Sequence, residues 1–262
     1  MTTTIAVAGK GGTGKTTVAA LLIRYLLEER EGPILAIDAD PASNLYMVLG
    51  MEMEQTIGEI REEMLDLVQS SGALAGSMPG GMSKQEYLDY QVQMALTEGE
   101  RVDLLAMGRP EGPGCYCAAN QMLRVIVDRL ERQYGYVIID NEAGMEHLSR
   151  RTTRDVDVLM LVTDPTQRGI VAARQMHEMV PELEIGVSTV CLVVNRLRGE
   201  LPSPLAEAIA RSGLELVGTV PEDPSMAEFE FTGRPLIELP ADTPVYRSVV
   251  EIAEKVLQDG RV

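Results

Sequence analysis

The segment Gly9-Lys10-Gly11-Gly12-Thr13-Gly14-Lys15-Thr16 lies between an apolar run, Thr4–Ala8, and a helical pattern carrying Val18, Leu22 and Leu26. This order of strand, glycine-rich loop and helix restricts the chain to a small group of folds, and the loop satisfies G-x-x-x-x-G-K-[ST]. Glycines let successive backbone N–H groups turn around a phosphate, and the N-terminus of the following helix adds its positive end. Gly9, Gly11, Gly12, Thr13 and Gly14 are the expected cradle, with Thr17 in the first helical turn. Lys15 is expected at the β- and γ-phosphates, and the Thr16 hydroxyl on Mg²⁺. The implied ligand is ATP or ADP with Mg²⁺. The competing reading is a glycine turn with a chance Lys-Thr, which the ordered strand, loop and helix disfavour.

Short β-rich runs alternate with helical patterns along the chain. The strand candidates are Thr4–Ala8, Ile34–Asp38, Val102–Met107, Tyr136–Asp140, Val156–Thr163, Ser188–Asn195 and Leu216–Val220. Several are apolar almost throughout, as expected of strands buried on both faces of a parallel sheet. Between them, Ala119, Met122, Leu123, Ile126, Val127 and Leu130 keep one apolar stripe at helical spacing. The pattern predicts one α/β domain over residues 1–262, a doubly wound, mostly parallel sheet flanked by helices, with the P-loop NTPase fold. Ligands then sit at the carboxyl ends of the strands, on the loops after Ala8, Asp38, Met107, Asp140 and Thr163.

Residues 51–100 fit the alternation less cleanly and are read as an acidic lid or insertion. They carry ten acids and two bases, −8 of the formal −17 on the chain. That balance repels phosphate backbones and anionic lipid, so a nucleic-acid or membrane partner is not expected. The acidic stretch is either a docking surface or simply a solvated face. No run approaches the roughly 20 apolar residues of a membrane span. Cys115, Cys117 and Cys191 form an odd set without a secretory leader, pointing to a reducing cytoplasm.

Carboxylates stand where strands end. Asp38-Ala39-Asp40-Pro41 follows the second strand, and the apolar run Tyr136–Ile139 ends in Asp140, the Walker-B pattern. A carboxylate facing a phosphate loop can orient water or hold the metal. An Asp-rich turn is the ordinary alternative.

Cys115-Tyr116-Cys117 precedes the amphipathic helix that begins near Ala118. Residues i and i+2 of an extended chain share a side, so both sulfurs can face one partner. Cys117 adjoins a helix N-terminus, which favours thiolate. Two thiolates do not complete a four-coordinate shell, but a two-fold dimer supplies four sulfurs on its axis. A buried turn or a redox pair remains open. Met47 with Met51, and Met78 with Met82, stand at i,i+4 as soft donors or, more simply, core filler.

The loop Lys10-Gly11-Gly12-Thr13-Gly14-Lys15-Thr16-Thr17 resembles the deviant phosphate loop of the ATPases that include nitrogenase iron protein, septum-site and partition ATPases, and metal-insertion factors. The resemblance implies that Lys10 reaches across an ATP-closed homodimer to the partner's nucleotide. It implies that Asp40 positions the attacking water with Asp38 in support, and that Asp140 holds Mg²⁺. Asn195-Arg196 resembles the family's adenine-reading Asn, and Val220-Pro221-Glu222-Asp223-Pro224 its second base-side loop. Asn141-Glu142-Ala143-Gly144-Met145-Glu146-His147 is similar to the second switch of CooC-type nickel-insertion ATPases, with His147 a switch residue or ligand. That family carries the Cys-x-Cys, so the resemblance assigns Cys115 and Cys117 to Ni²⁺ or Zn²⁺ at the dimer interface. Apo carbon monoxide dehydrogenase is then the recipient; a different nickel enzyme such as acetyl-CoA synthase, or a positioning or partition ATPase, is the alternative. An electron-donating iron protein is disfavoured, because no Cys lies between Asp140 and Arg151.

Overall fold

The structure, a computed structural model, describes residues 2–70, 78–109, 125–144, 155–182 and 186–258. Seven parallel strands form one sheet in the order β3-β2-β4-β1-β5-β6-β7. They are β1 (Thr3–Ala8), β2 (Ile34–Asp38), β3 (Val102–Ala106), β4 (Tyr136–Asp140), β5 (Asp155–Thr163), β6 (Gly186–Leu197) and β7 (Glu215–Pro221). Each lies within two residues of the run that the sequence predicts. Apolar side chains fill both faces: Ile5 and Val7 of β1 join one cluster, Ala6 and Ala8 the other. Two-sided burial explains why these strands read as continuous apolar runs.

The helices are α1 (Lys15–Glu29), α2 (Leu45–Leu49), α3 (Ile57–Ser70), α4 (Lys84–Ala95), α5 (residues 125–131), α6 (Gln167–Met179), α7 (Ser203–Ser212), α8 (Pro224–Thr232) and α9 (Pro244–Gln258). Helix α1 is buried along Val18–Ile23 and packs with α9 under one face of the sheet. The stripe of α9, Val245, Val249, Ala253 and Val256, is spent against that core. On the other face, Ile57 and Ile60 of α3 and Leu88 and Val92 of α4 share a cluster with Leu35, Ile37 and Ile139. The acids Glu59, Glu62, Glu63, Asp66 and Glu86 of α3 and α4 point outward. A capping box, Ser83 with Glu86, starts α4.

Strand order decides where ligands sit. From β1 the chain passes over the future position of β4 to build β2 and β3, then returns to insert β4 beside β1. The loop after β1 therefore stands at the centre of the carboxyl edge, with the ends of β2 and β4 on one side and β5 and β6 on the other. Among the described residues, no helix is long and apolar enough to cross a membrane.

Candidate functional site

The loop from Gly9 to Gly14 is shaped by close approaches that only glycine allows. A Cβ on Gly9 would lie 2.1 Å from the Val162 carbonyl oxygen of β5, and Gly9 carries φ +155°. Gly14 has φ +87° and caps α1 without any side-chain hydrogen bond. The first turn of α1 also holds no acid, so its N–H groups and dipole are left for an anion. Thr13 ties the loop together, its hydroxyl donating to the Lys10 carbonyl at 2.9 Å. Lys15 is buried, and its Nζ donates to the same carbonyl at 3.5 Å. Lys10, by contrast, presents its side chain to solvent.

Register brings the carboxylates together. Asp38 and Asp140 are the last residues of adjacent strands and pair directly, and Asp140 also pairs with Val7 of β1. Both are almost wholly buried. Asp38 is committed to its own loop: its carboxylate accepts from the N–H of Leu45 at 2.8 Å and of Asp40 at 3.1 Å. Burial nonetheless raises its pKa to about 6, against those backbone hydrogen bonds and aided by the Asp40 charge. Burial pushes Asp140 up to about 7; the Thr16 hydroxyl and Lys15 oppose the rise, and Asp38 adds to it. Asp140 Oδ1 is buried without a hydrogen-bond partner. An unpartnered carboxylate oxygen beside a threonine hydroxyl is a hard-oxygen donor set, and it fits Mg²⁺. Asp40 lies further out in the loop, its Oδ1 accepting from the Ala42 N–H at 2.8 Å.

The segment after Asp140 is laced onto the phosphate loop. Gly144 donates its N–H to the Gly9 carbonyl at 3.1 Å, and Asn141 donates both its backbone and side-chain N–H to the Val7 carbonyl at 3.0 Å. The described part of this segment thus touches the cradle itself.

On the far side of Thr17, a cleft of about 230 Å³ opens among Asn195, Arg196, Pro221, Glu222, Asp223 and Met226. Val220, also expected here, is buried in the core beneath. Glu222 is held by a two-pronged ion pair with Arg198, which keeps its carboxyl below the usual range. The Asn195 side chain is engaged inside the protein, donating to the Thr13 carbonyl at 2.8 Å and accepting from the Arg196 N–H at 2.9 Å.

Asp223, from the segment expected as the base-side loop, also lines this cleft. Its Oδ1 accepts from Ser225, whereas its Oδ2 is buried without a hydrogen-bond partner. Asp223 is also the N-cap of α8, followed by proline at the first helical position. Cys115, Cys117 and His147 lie outside the described residues. Cys191 is buried in the middle of β6. Among the described residues, no group of three His, Cys, Asp or Glu is placed to hold a metal ion.

Residues 4–236 match the family model described as the CobQ/CobB/MinD/ParA nucleotide binding domain. An ATP-binding protein of Methanocaldococcus jannaschii, itself uncharacterized, is 44% identical over 253 residues, covering 97% of this chain and 98% of that protein. The carbon monoxide dehydrogenase accessory protein CooC of Rhodospirillum rubrum is 29% identical over 234 residues, 87% of each chain. Among solved structures, the septum site-determining protein MinD of Pyrococcus horikoshii complexed with Mg-ADP superposes with a TM-score of 0.68. It is 21% identical, over 98% of this chain and 97% of that one, and supports the fold alone.

Proposed function

Since the chain belongs to the CobQ/CobB/MinD/ParA nucleotide-binding family, we propose that it is a Mg²⁺-dependent ATPase working as a homodimer, and that it delivers nickel to apo carbon monoxide dehydrogenase. The observation carrying the ATPase reading is the placement of Asp140, in register with Asp38 and beside Lys15 and Thr16, with one buried oxygen free. Backbone N–H groups of the loop and the first turn of α1 hold the β- and γ-phosphates, and Lys15 neutralises them. Thr16 and Asp140 would hold Mg²⁺, which when bound would supply positive charge to offset that developing on the phosphate oxygens. Asp38 fixes the loop that carries Asp40, and Asp40 orients the attacking water. Lys10, exposed at the start of the loop, is free to reach a second protomer. ATP hydrolysis by the purified protein tests this reading: Lys15→Ala and Asp140→Asn are expected to lower turnover at least 100-fold, and wild-type protein without activity would refute it.

The nickel reading is supported by the CooC relative and by Cys115-x-Cys117, which the two-fold dimer would turn into a four-sulfur site. For delivery, nucleotide must change metal affinity and metal must change nucleotide affinity reciprocally, typically by ~1–3 kcal/mol. Equilibrium dialysis with Ni²⁺ and with Zn²⁺, without nucleotide, with ADP and with an ATP analogue, should give one ion per two chains. Unaltered metal binding in Cys115→Ala/Cys117→Ala would sink the assignment. A positioning or partition role needs a surface for membrane or DNA; the apolar stripe of α9 is buried and the formal charge is −17, and both weigh against it.

A further inference from the structure

Strand β6 carries an irregularity where it meets the phosphate loop. Val194 pairs with Thr219 and Leu197 with Pro221, so Asn195 and Arg196 together oppose the single residue Val220. This is a β-bulge, a device that re-aims side chains and is rare between parallel strands. Arg196 sits in the left-handed region at φ +56°, where a residue other than Gly, Asn or Asp is uncommon. Both side chains leave the bulge toward the phosphate loop. Asn195 Nδ2 donates to the Thr13 carbonyl at 2.8 Å, and Arg196 Nη1 donates to the Gly12 carbonyl at 3.2 Å.

Two consecutive loop carbonyls are thus held by two consecutive side chains. A trans peptide sets its C=O and the following N–H in opposite directions. Anchoring the Thr13 carbonyl on Asn195 therefore turns the Gly14 N–H away from β6, toward the interior of the loop. Gly14 must lack a side chain for this: a Cβ there would lie 2.2 Å from Asn195 Nδ2. Asn195 is only 4% exposed, and its Oδ1 accepts the Arg196 N–H, so the bulge holds the amide with its Nδ2 turned to the loop.

We propose that Asn195 and Arg196 are positioning residues for the phosphates, a bulge-borne clamp that presets the loop's N–H groups. The proposal rests on the nucleotide-binding reading of this site. A base-free probe separates the clamp from base recognition: Mg²⁺-tripolyphosphate occupies the cradle but has nothing for a base reader to read. Calorimetric titration of wild type, Asn195→Ala, the near-isosteric Asn195→Asp and the surface variant Arg196→Ala would be run with Mg²⁺-ADP and with Mg²⁺-tripolyphosphate. Losing a buried hydrogen bond of this kind should raise the dissociation constants of both ligands by a similar factor, roughly 5- to 30-fold. Asn195→Asp, which sets an acceptor against the Thr13 carbonyl, should weaken both at least as much. Arg196→Ala, on an exposed side chain that does not threaten folding, should show the smaller but still parallel loss. Weakened ADP with unchanged tripolyphosphate would overturn the clamp and return Asn195 to base recognition. Unchanged affinity for both would overturn it as well. Wild-type protein that binds neither ligand would instead remove the nucleotide-binding reading on which the clamp depends.

Discussion

Asp140 has a carboxylate oxygen buried beside Lys15 and Thr16 with no hydrogen-bond partner, and a neighbour, Asp38, one strand away in register. Both groups sit above the ordinary carboxylate range, at about 6 for Asp38 and about 7 for Asp140. A carboxyl raised on folding favours the folded state most at pH below its unfolded value of about 4, and that contribution is lost as pH rises through the folded values. Metal-free protein should therefore lose thermal stability between about pH 4 and 7 through this pair, which titrates jointly. Protons and Mg²⁺ compete for the same oxygens, so Mg²⁺-ADP affinity should climb across pH 6 to 7 and level off above. Asp140→Asn should raise the apo melting temperature at pH 8 while removing the Mg²⁺ dependence of nucleotide binding. Scanning calorimetry and titration across pH read the two effects separately; an apo protein destabilised by Asp140→Asn would contradict the burial argument.

At the scale of elements, Ile252 of α9 packs directly over Gly218 of β7. A Cβ on Gly218 would come 2.4 Å from Ile252 Cγ1, and Ile252 is 2% exposed. Ile252→Ala should cost about 2–5 kcal/mol through lost burial and the cavity left behind. Gly218→Ala should cost about 1–3 kcal/mol by overpacking. The two sites touch, so the double variant should be less destabilised than the sum, because the new methyl enters the space that isoleucine leaves. Urea denaturation of the four proteins measures the coupling, and strict additivity would mean that α9 is seated otherwise. Such seating also explains why the apolar stripe of α9 serves the core and not a lipid surface.

At the scale of the whole molecule, Lys10 and the dimer are the matter. Lys10 stays in solvent while Lys15 is buried in the loop, so the two lysines have different work. Lys10→Ala should keep Mg²⁺-ADP affinity within about threefold, since an exposed charge contributes little to a site it does not touch. It should nevertheless abolish ATP-dependent dimerisation and hydrolysis. Sedimentation velocity with an ATP analogue gives the readout. A Lys10→Ala protein that dimerises and turns over normally would confine the catalytic machinery to one chain.

The sequence by itself determined the strands, because two-sided burial demands uninterrupted apolar runs such as Tyr136–Ile139, and it determined the cradle, because Gly9 to Thr16 has few other uses between a strand and a helix. It placed Asp38 and Asp140 at strand ends from the apolar runs that precede them. Long-range pairing decided the rest. That Asp38 and Asp140 are neighbours follows from β4 inserting between β2 and β1, an order that depends on which edges meet and leaves no local pattern. That Asn195 grips the loop follows from a bulge created by the pairing of β6 with β7. Local chemistry is written in neighbouring residues, whereas register, bulges and strand order are written in contacts between residues far apart in the chain, which only the folded molecule brings together.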